Sequence, residues 1–179
     1  MKRINVIGTS GSGKSYFSRK LAKKLNYPYY EMDALFWKSN WRETEDEEFF
    51  PLLKSKLSAP VWVLDGNYNR TLQIKWKQAD TVIWLDYSFS RVLFQGIKRT
   101  LYRCFTKKEL WSGTGNIESF GKSFFSRDSI IIWMLKSYRR NRIRYNKIYN
   151  SKAYNHIYFI RLTSPKVAKQ FLQNIKLKE

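Results

Sequence analysis

Two patterns of apolar residues alternate along the chain. Short segments rich in Val, Ile and aromatic residues predict β-strands, and between them apolar residues return every three or four positions, which predicts helices with one apolar face. Strands that alternate with helices predict an α/β domain with a mostly parallel sheet. The predicted strands cover residues 3–7, 29–32, 61–64, 81–85 and 157–162.

Several predicted helices have recognisable start signals. Apolar residues at every fourth position from Phe17 to Leu25 predict the first helix. Thr44 and Glu47 form a capping-box pattern, which predicts a helix to about residue 57. Ser164, followed by a proline, predicts the N-cap of the last helix. Further predicted helices cover residues 72–76, 90–103 and 127–149.

The first predicted strand and helix flank residues 8–15, which read Gly-Thr-Ser-Gly-Ser-Gly-Lys-Ser. This segment matches the P-loop pattern G-x-x-x-x-G-K-[ST] in the context that the pattern requires. Glycines let consecutive backbone N–H groups point at a phosphate, and the helix N-terminus adds partial positive charge. A Gly/Ser-rich loop could match by chance, but the flanking elements favour a nucleoside triphosphate site. The residues expected to bind the nucleotide are Gly8, Ser10, Gly11, Ser12, Gly13, Lys14, Ser15 and Tyr16.

A magnesium site is expected beside this loop. Lys14 would reach the β- and γ-phosphates, and the hydroxyl of Ser15 would bind Mg²⁺. Asp65 follows an apolar strand, where phosphoryl-transfer proteins carry a carboxylate that organises Mg²⁺. An aspartate that caps a loop is the alternative for Asp65.

Two more aspartates follow predicted strands, and ligands of open α/β sheets bind beyond the carboxyl ends of the strands. Asp33 could accept a hydrogen bond from an acceptor hydroxyl or take its proton, or be an ordinary strand-end residue. Asp86 is more often expected to be a turn residue or a helix cap. The residues expected to shape an acceptor site are Asp33, Asp65, Gly66, Asn67, Tyr68 and Arg70.

Arginines flank a glycine-rich segment, residues 104–126, that we expect to be a mobile lid. Arg99 and Arg103 lie four residues apart at its entry, so one could stack on a base while the other binds phosphate. Four arginines between residues 139 and 144 follow it, and any could close on a transferred phosphoryl group, although a solvated basic face explains most such runs. The residues predicted to be catalytic are Lys14, Asp33, Arg99, Arg103 and Arg139.

Charge is distributed unevenly over the 179 residues, whose formal net charge is +20. Residues 91–179 hold 20 Lys and Arg against 4 Asp and Glu, whereas residues 1–90 hold 14 against 10. Such an excess predicts polyanionic partners, which could be a triphosphate, a phosphorylated acceptor or nucleic acid. A solvated basic surface is the alternative for most individual lysines.

Composition also argues against several classes of protein. The longest apolar run, residues 130–135, is too short to span a membrane, and the first residues carry no signal-peptide pattern, so we expect a cytoplasmic protein with no membrane partner. One cysteine, Cys104, allows no internal disulfide, and together with a single histidine, His156, it makes no typical zinc site.

Several segments are similar to those of a known group of proteins. They are 8–15, 32–37 (Met-Asp-Ala-Leu-Phe-Trp) with Trp41, 62–68 (Trp-Val-Leu-Asp-Gly-Asn-Tyr), 80–86, and 111–113 with Asn116 and Glu118. Together they resemble the bacterial DNA topology modulation proteins over nearly the whole chain. The architecture resembles more broadly the nucleoside-monophosphate-kinase branch of P-loop proteins, which includes adenylate and shikimate kinases.

This resemblance implies a three-layer α/β/α P-loop fold with a five-stranded parallel sheet in the order 2-3-1-4-5, a lid and kinase-like phosphate chemistry. In adenylate kinases an Asp-Gly-Phe-Pro-Arg segment places its Asp near Mg²⁺ and its Arg on the acceptor phosphate. Here Asp65 and Gly66 match. Asn67 and Tyr68 replace Phe-Pro, and Arg70 comes one place late, so a monophosphate acceptor does not follow.

We expect residues 1–179 to form a single domain with an acceptor-side insertion at about residues 34–60. Two functions are compatible with such a domain. The first is an ATP- and Mg²⁺-dependent phosphotransferase, a kinase or ATPase, for an unidentified small acceptor. The second is a nucleotide-dependent DNA- or RNA-binding protein that affects DNA topology. The sequence has no helix-turn-helix, zinc-finger or RNA-binding signature, which favours the first.

Overall fold

One parallel sheet forms the centre of the computed structural model, which describes residues 1–125, 129–151 and 153–175. The strand order is β2-β3-β1-β4-β5, and each neighbouring pair is parallel. The predicted parallel sheet and the strand order that the resemblance implied are both confirmed. The strands are β1 (Arg3–Gly8), β2 (Tyr29–Glu31), β3 (Trp62–Asp65), β4 (Thr81–Leu85) and β5 (Tyr158–Leu162).

The register of the strands brings three chain segments to one edge of the sheet. Asp65, the last residue of β3, lies opposite Val6 of β1 and opposite Glu31 of β2. Gly8, the last residue of β1, lies opposite Leu85 of β4. The segments that follow β1, β2 and β3 therefore begin side by side, at the edge where open α/β sheets bind ligands.

Helices cover both faces of the sheet: α1 (Lys14–Leu25), α2 (Met32–Phe36), α3 (Asp46–Leu57), α4 (Leu72–Gln78), α5 (Phe89–Thr106), α6 (Ile130–Tyr149) and α7 (Pro165–Asn174). α1, α5 and α7 bury one face in a core that includes Phe17 and Val92. α2, α3 and α4 bury the other, in a core that includes Phe49 and Trp76. The central strands β1, β3 and β4 are buried almost throughout, as expected of strands covered on both faces.

The segment between β2 and α3 differs from the prediction. β2 ends at Glu31, and Met32 begins α2, so Asp33 lies in the first turn of a short helix. The capping-box prediction is wrong, because Glu45 is the N-cap of α3 and makes no side-chain cap. The hydroxyl of Thr44 donates instead to the carbonyl oxygen of Phe36 at 2.7 Å, since the end of α2 leaves this carbonyl without a helical partner.

The predicted lid begins later than expected. The buried face of α5 repeats every four residues from Val92 to Cys104, so the helix continues to Thr106 and residues 104–106 are helical. A loop of residues 107–120 follows and ends in a π-helical turn, Gly121–Phe125. The predicted end of the lid, residue 126, and the predicted start of the next helix, residue 127, lie outside the described residues.

The capping of the last helix agrees with the sequence. Ser164 accepts a hydrogen bond from the backbone N–H of Val167 at 3.2 Å, with Pro165 as the first helical residue, as predicted. Ser129 caps α6 in the same way, through the N–H of Ile132. Among the helices that the structure describes, none has both the length and the apolar character needed to cross a membrane.

Candidate functional site

The P-loop connects β1 to α1 and packs tightly against α5. Gly11 has φ 85°, and a Cβ atom there would lie 2.7 Å from the carbonyl oxygen of Val92, so no larger residue fits. Gly13 also has φ 85°, but no atom lies within 4 Å of the place where its Cβ would be. The loop thus packs against α5 at Gly11, whereas the space beside Gly13 is open and could admit a phosphate.

Lys14, at the start of α1, faces two carboxylates across the loop. Its Nζ donates to the carbonyl oxygen of Thr9 at 3.3 Å. Burial lowers the pKa of Lys14, while the charges of Asp65 and Asp33 raise it. The P-loop lysine and two of the predicted strand-end aspartates are therefore brought together at one site.

Asp65, at the end of β3, has the features of a magnesium ligand. Its Oδ2 accepts a hydrogen bond from Tyr29 at 3.3 Å, whereas its Oδ1 is buried and has no hydrogen-bond partner among the described residues. Burial raises the pKa of Asp65 to about 6, although the positive charge of Lys14 and then the hydroxyl group of Ser15 lower it. A buried carboxylate oxygen without a partner fits a cation, and Ser15 adds a hydroxyl.

The other ligands of such a cation would come from elsewhere. No group of three or more His, Cys, Asp or Glu side chains that could hold a metal occurs in the described parts of the chain. Mg²⁺ usually keeps several waters and binds one or two carboxylates together with substrate phosphates. Ser15 and Asp65 beside a P-loop are compatible with that arrangement.

Asn67 attaches the loop after β3 to the P-loop. Its Oδ1 accepts from the N–H of Gly8 at 3.2 Å, and its Nδ2 donates to the carbonyl oxygen of Gly8 at 2.8 Å. Both hydrogen-bonding groups of the first P-loop glycine are thus paired with one side chain. Asn67, an expected acceptor residue, therefore binds the P-loop in this structure.

Lys75, which the sequence analysis missed, lies beneath the same loop. Its side chain is fully buried in α4, and its Nζ donates to the carbonyl oxygens of Gly66, at 3.1 Å, and Asn67. Burial lowers the pKa of Lys75 to about 7. A signal for it exists, because Lys75 is three residues after Leu72 and thus on the inward side of α4.

Asn5 and Trp76 extend this buried polar network. Nδ2 of Asn5 donates to the carbonyl oxygens of Leu64 and Gly66, and the indole N–H of Trp76 donates to Oδ1 of Asn5 at 2.9 Å. Both side chains are fully buried. Buried side chains of β1 and α4 therefore hold the loop after β3 in place.

Asp33 and Tyr68 form a pair on the acceptor side of the sheet edge. The Tyr68 hydroxyl donates to Oδ1 of Asp33 at 2.7 Å. Burial and then the Asp33 carboxylate raise the pKa of Tyr68, so the phenol stays protonated and remains a donor. Asp33 itself is exposed, and its Oδ2 accepts no side-chain hydrogen bond from the described residues.

Arg70, an expected acceptor residue, is engaged elsewhere. Its guanidinium lies 4.9 Å from the centre of the Phe36 ring and 5.9 Å from that of Phe49. Its Nε is 3.2 Å from Oδ1 of Asp46, in the first turn of α3. Arg70 therefore attaches the loop after β3 to α3, and its charge is paired.

Two arginines of α5, Arg99 and Arg103, lie over the P-loop and beside the loop of residues 107–120. Arg99 donates to Oγ of Ser10 at 3.4 Å, and burial, then the neighbouring Arg103, lower the pKa of Arg99. Arg103 donates to Oε1 of Glu118 at 2.8 Å. Near this group, buried polar atoms lack a partner among the described residues: Oγ of Ser12, Nε of Arg99 and Oε2 of Glu118.

The 107–120 loop is fastened to the segment between α2 and α3. Trp111 stacks on Trp37 with an interplanar angle of 14°, and Trp41 meets both rings edge-on. Asn116 is buried; it accepts from the N–H of Trp41 and donates to the carbonyl oxygen of Lys38, each at 2.9 Å. The loop therefore lies against the segment after α2, where the acceptor site is expected.

Arg139 is not brought to the P-loop by a described contact. It lines a cleft of about 290 Å³ between α6 and β5 together with Arg142 and Arg161. Asp86 is neither a turn residue nor the cap of α5, which is Ser88. Its carboxylate binds Arg142 at 3.0 Å and Arg161 at 2.9 Å. Tyr16, expected at the nucleotide, is exposed, with Nζ of Lys20 above its ring.

The fold is similar to those of several solved kinase structures. A gluconokinase from Sinorhizobium meliloti 1021 has a TM-score of 0.54 at 15% identity, over 96% of this chain and 87% of that chain. A shikimate kinase from Acinetobacter baumannii, in complex with shikimate, has a TM-score of 0.53 at 17% identity, over 97% of this chain and 89% of that chain. A sugar kinase from Janibacter sp. HTCC2649 has a TM-score of 0.50 at 14% identity, over 97% and 93%.

Neither a protein-family model nor a curated protein matches the sequence. The three solved structures are of kinases, so the resemblance to DNA topology modulation proteins stays a prediction. The identities are low, and the similarity therefore concerns the fold. The sheet order, the helices on both faces and the three similar structures agree that this chain has the α/β fold of the P-loop kinases.

Proposed function

We propose that this protein is a phosphotransferase that uses ATP and Mg²⁺ to phosphorylate a hydroxyl group of a small acceptor. The observation that carries the proposal is the meeting of Lys14, Asp65 and Asp33 at one edge of the sheet, where both carboxylates act on the lysine. A triphosphate donor, a cation and an acceptor hydroxyl each have a residue suited to them within one site.

The donor half of the site consists of the P-loop and Lys14. The backbone N–H groups of the loop would bind the β-phosphate, and Lys14 would exchange the carbonyl oxygen of Thr9 for the β- and γ-phosphates. Ser15 and Asp65 would hold Mg²⁺, which when bound neutralises charge on these phosphates. The partnerless Oδ1 of Asp65 supports that role.

The acceptor half consists of Asp33 and Tyr68. Tyr68 binds Oδ1 of Asp33 and so orients the carboxylate, and we assign Oδ2 to the acceptor hydroxyl. Asp33 takes the proton of that hydroxyl as the acceptor oxygen bonds to the γ-phosphorus. The bond from this phosphorus to the bridging oxygen breaks, and ADP leaves with its electron pair.

Arg99 and Arg103 would neutralise the charge that develops on the moving phosphoryl group. Arg99 already contacts the P-loop through Ser10, and an arginine in this role contributes roughly 10³ to 10⁵ in rate. We assign this function to the α5 arginines ahead of Arg139, which lines a different cleft. The closed 107–120 loop would exclude water and so limit hydrolysis of ATP.

Nucleotide binding and turnover test the proposal. ATP with Mg²⁺ should raise the melting temperature of the wild-type protein, and a suitable acceptor should stimulate ADP release. Lys14→Ala should abolish both effects, whereas Lys23→Ala, an exposed lysine of the same helix, should leave both unchanged. Equal stabilisation of Lys14→Ala by ATP would contradict the assignment of the P-loop.

A second candidate is supported by the charge of α6. This helix carries six Lys and Arg and no Asp or Glu, and Arg139 and Arg140 are exposed on it. A nucleotide-dependent protein that binds DNA or RNA could use this helix to contact phosphates. Its affinity should then fall steeply with salt, by roughly one log unit per log of salt for each phosphate neutralised. Salt-sensitive DNA binding without acceptor-stimulated turnover would favour this candidate over the kinase.

A further inference from the structure

The acceptor side of the proposed site has a charge opposite to that of the rest of the chain. Residues 31–70, from the end of β2 to the loop after β3, hold eight Asp and Glu against five Lys and Arg. The other residues hold six against 29. We call residues 31–70 the acceptor wall. A strongly basic protein therefore has an acidic surface where its acceptor would bind.

Four of the five cations of the acceptor wall are paired or lie away from the site. Arg70 is bound to Asp46 and lies over the ring of Phe36. Lys38 is bound to Glu48. The two lysines of α3 lie in its last turn, which leads to the start of β3 at the opposite edge of the sheet. A further cation, Arg42, is exposed.

Carboxylates, in contrast, converge at the edge of the sheet. Asp33 is exposed beside Tyr68, and Glu31 and Asp65 lie opposite each other at the ends of β2 and β3. Arg19 pairs with Glu31 at 3.4 Å and the charge of Lys14 acts on Asp65, which leaves Asp33 as the exposed carboxylate of the three. An acceptor with its own carboxylate or phosphate would be repelled by Asp33, and the guanidinium of Arg70 is already bound to Asp46.

We propose that the acceptor is an uncharged hydroxyl compound, such as a neutral polyol or a nucleoside, and carries no phosphate or carboxylate. This inference rests on the proposed phosphotransferase function. The Trp37 and Tyr68 rings of the acceptor wall are half-buried and give it apolar surface, which suits the carbon face of such a compound. Arg99 contacts the P-loop through Ser10 and Arg103 is bound to Glu118, and the proposed function assigns both arginines to the moving phosphoryl group.

Pairs of related acceptors, of which one member carries a carboxylate or phosphate and the other is neutral, test the inference. Glucitol against gluconate, adenosine against its 5′-monophosphate, and methyl shikimate against shikimate are compared by acceptor-stimulated ADP release, with the phosphorylated product identified by mass spectrometry. We expect kcat/KM of the reactive pair to favour the neutral member by about 10-fold or more. Equal or higher values for the anionic member would overturn the inference and leave the kinase function intact. Nucleotide binding without turnover of any pair would overturn the kinase function, and the inference with it.

Releasing Arg70 provides a second test with a matched control. Asp46→Asn and Glu47→Gln each remove one negative charge from the first turn of α3, but only Asp46 contacts Arg70. Asp46→Asn should therefore lower the ratio of kcat/KM for the neutral acceptor to kcat/KM for the anionic one. Glu47→Gln should lower this ratio several-fold less. The pair between Arg70 and Asp46 is half-exposed, so we expect both variants to fold. Equal effects of the two variants would show that Arg70 does not set the preference.

Discussion

Asn67 pairs with both the N–H and the carbonyl oxygen of Gly8, although 59 positions separate the two residues. The contact joins the loop after β3 to the first residue of the P-loop. The geometry of the proposed nucleotide site therefore depends on a side chain outside the P-loop motif. Asn67 is in turn held through its own carbonyl oxygen by the buried Lys75.

Loss of the Asn67 side chain should weaken nucleotide binding. Asn67→Ala removes two partly buried hydrogen bonds, which should cost about 1–2 kcal/mol in preorganisation of the loop and raise Kd for Mg-ATP by about 10-fold. Isothermal titration calorimetry measures this change. Asn69→Ala, an exposed asparagine of the same loop, is the control and should bind like the wild type. An unchanged Kd for Asn67→Ala would show that the P-loop keeps its shape unaided.

Lys75 should make stability rise with pH above neutrality. Its pKa is about 7 in the folded protein against 10.5 as the reference value, so between these values the unfolded chain binds the proton and the folded chain does not. Below about pH 7 the buried lysine is charged and lowers the free energy of unfolding by its full desolvation cost. This cost decreases as the pH rises.

Comparison with Lys75→Met isolates this effect, because other titrating groups are common to both proteins. The free energy of unfolding is measured with urea for both proteins. We expect the value for the wild type minus the value for the variant to increase between pH 6.5 and pH 9. A difference that stays constant over this range would mean that Lys75 keeps an ordinary pKa.

Asp65 should make magnesium binding sensitive to acid. Its pKa of about 6 is above the reference value of 3.8, so the folded protein binds the extra proton between these values and the buried carboxylate costs stability above about pH 6. A protonated Asp65 cannot serve as a ligand of Mg²⁺. The gain in nucleotide affinity that Mg²⁺ confers should therefore fall about 10-fold between pH 7 and pH 5.

The control for this titration is Asp65→Asn, since the nucleotide itself titrates in the same way with both proteins. The variant should retain nucleotide binding with little benefit from Mg²⁺ at either pH. A full magnesium effect in Asp65→Asn would exclude Asp65 as the ligand.

Asn116 should hold the 107–120 loop closed. Asn116→Ala removes both hydrogen bonds to the backbone of Lys38 and Trp41. We expect faster hydrogen–deuterium exchange in residues 107–120 and 38–42, and more ATP hydrolysis in the absence of acceptor, because water enters the site. Ser112→Ala, at an exposed position of the same loop, should match the wild type. Unchanged exchange would mean that the tryptophan cluster alone fastens the loop.

Three contacts that the sequence does not reveal have a common cause. Thr44 has the spacing of a capping box, yet its hydroxyl binds the end of another helix. Arg70 lies near the place of an acceptor-binding arginine, yet it pairs with Asp46. Lys75 reads as one lysine among many, yet it is buried under the site. In each case the partner is distant in the sequence, and a local pattern does not contain it.

The sequence by itself determined the P-loop, the succession of strands and helices, and the presence of aspartates where strands end or just after. These features follow from local rules: apolar periodicity, the glycine requirement of a phosphate loop, and the common direction of parallel strands. Only the tertiary structure decided which side chains meet, such as Asn67 with Gly8, Tyr68 with Asp33 and Arg70 with Asp46. The reason is physical, because burial, charge pairing and pKa depend on neighbours that the folded chain brings together from distant positions.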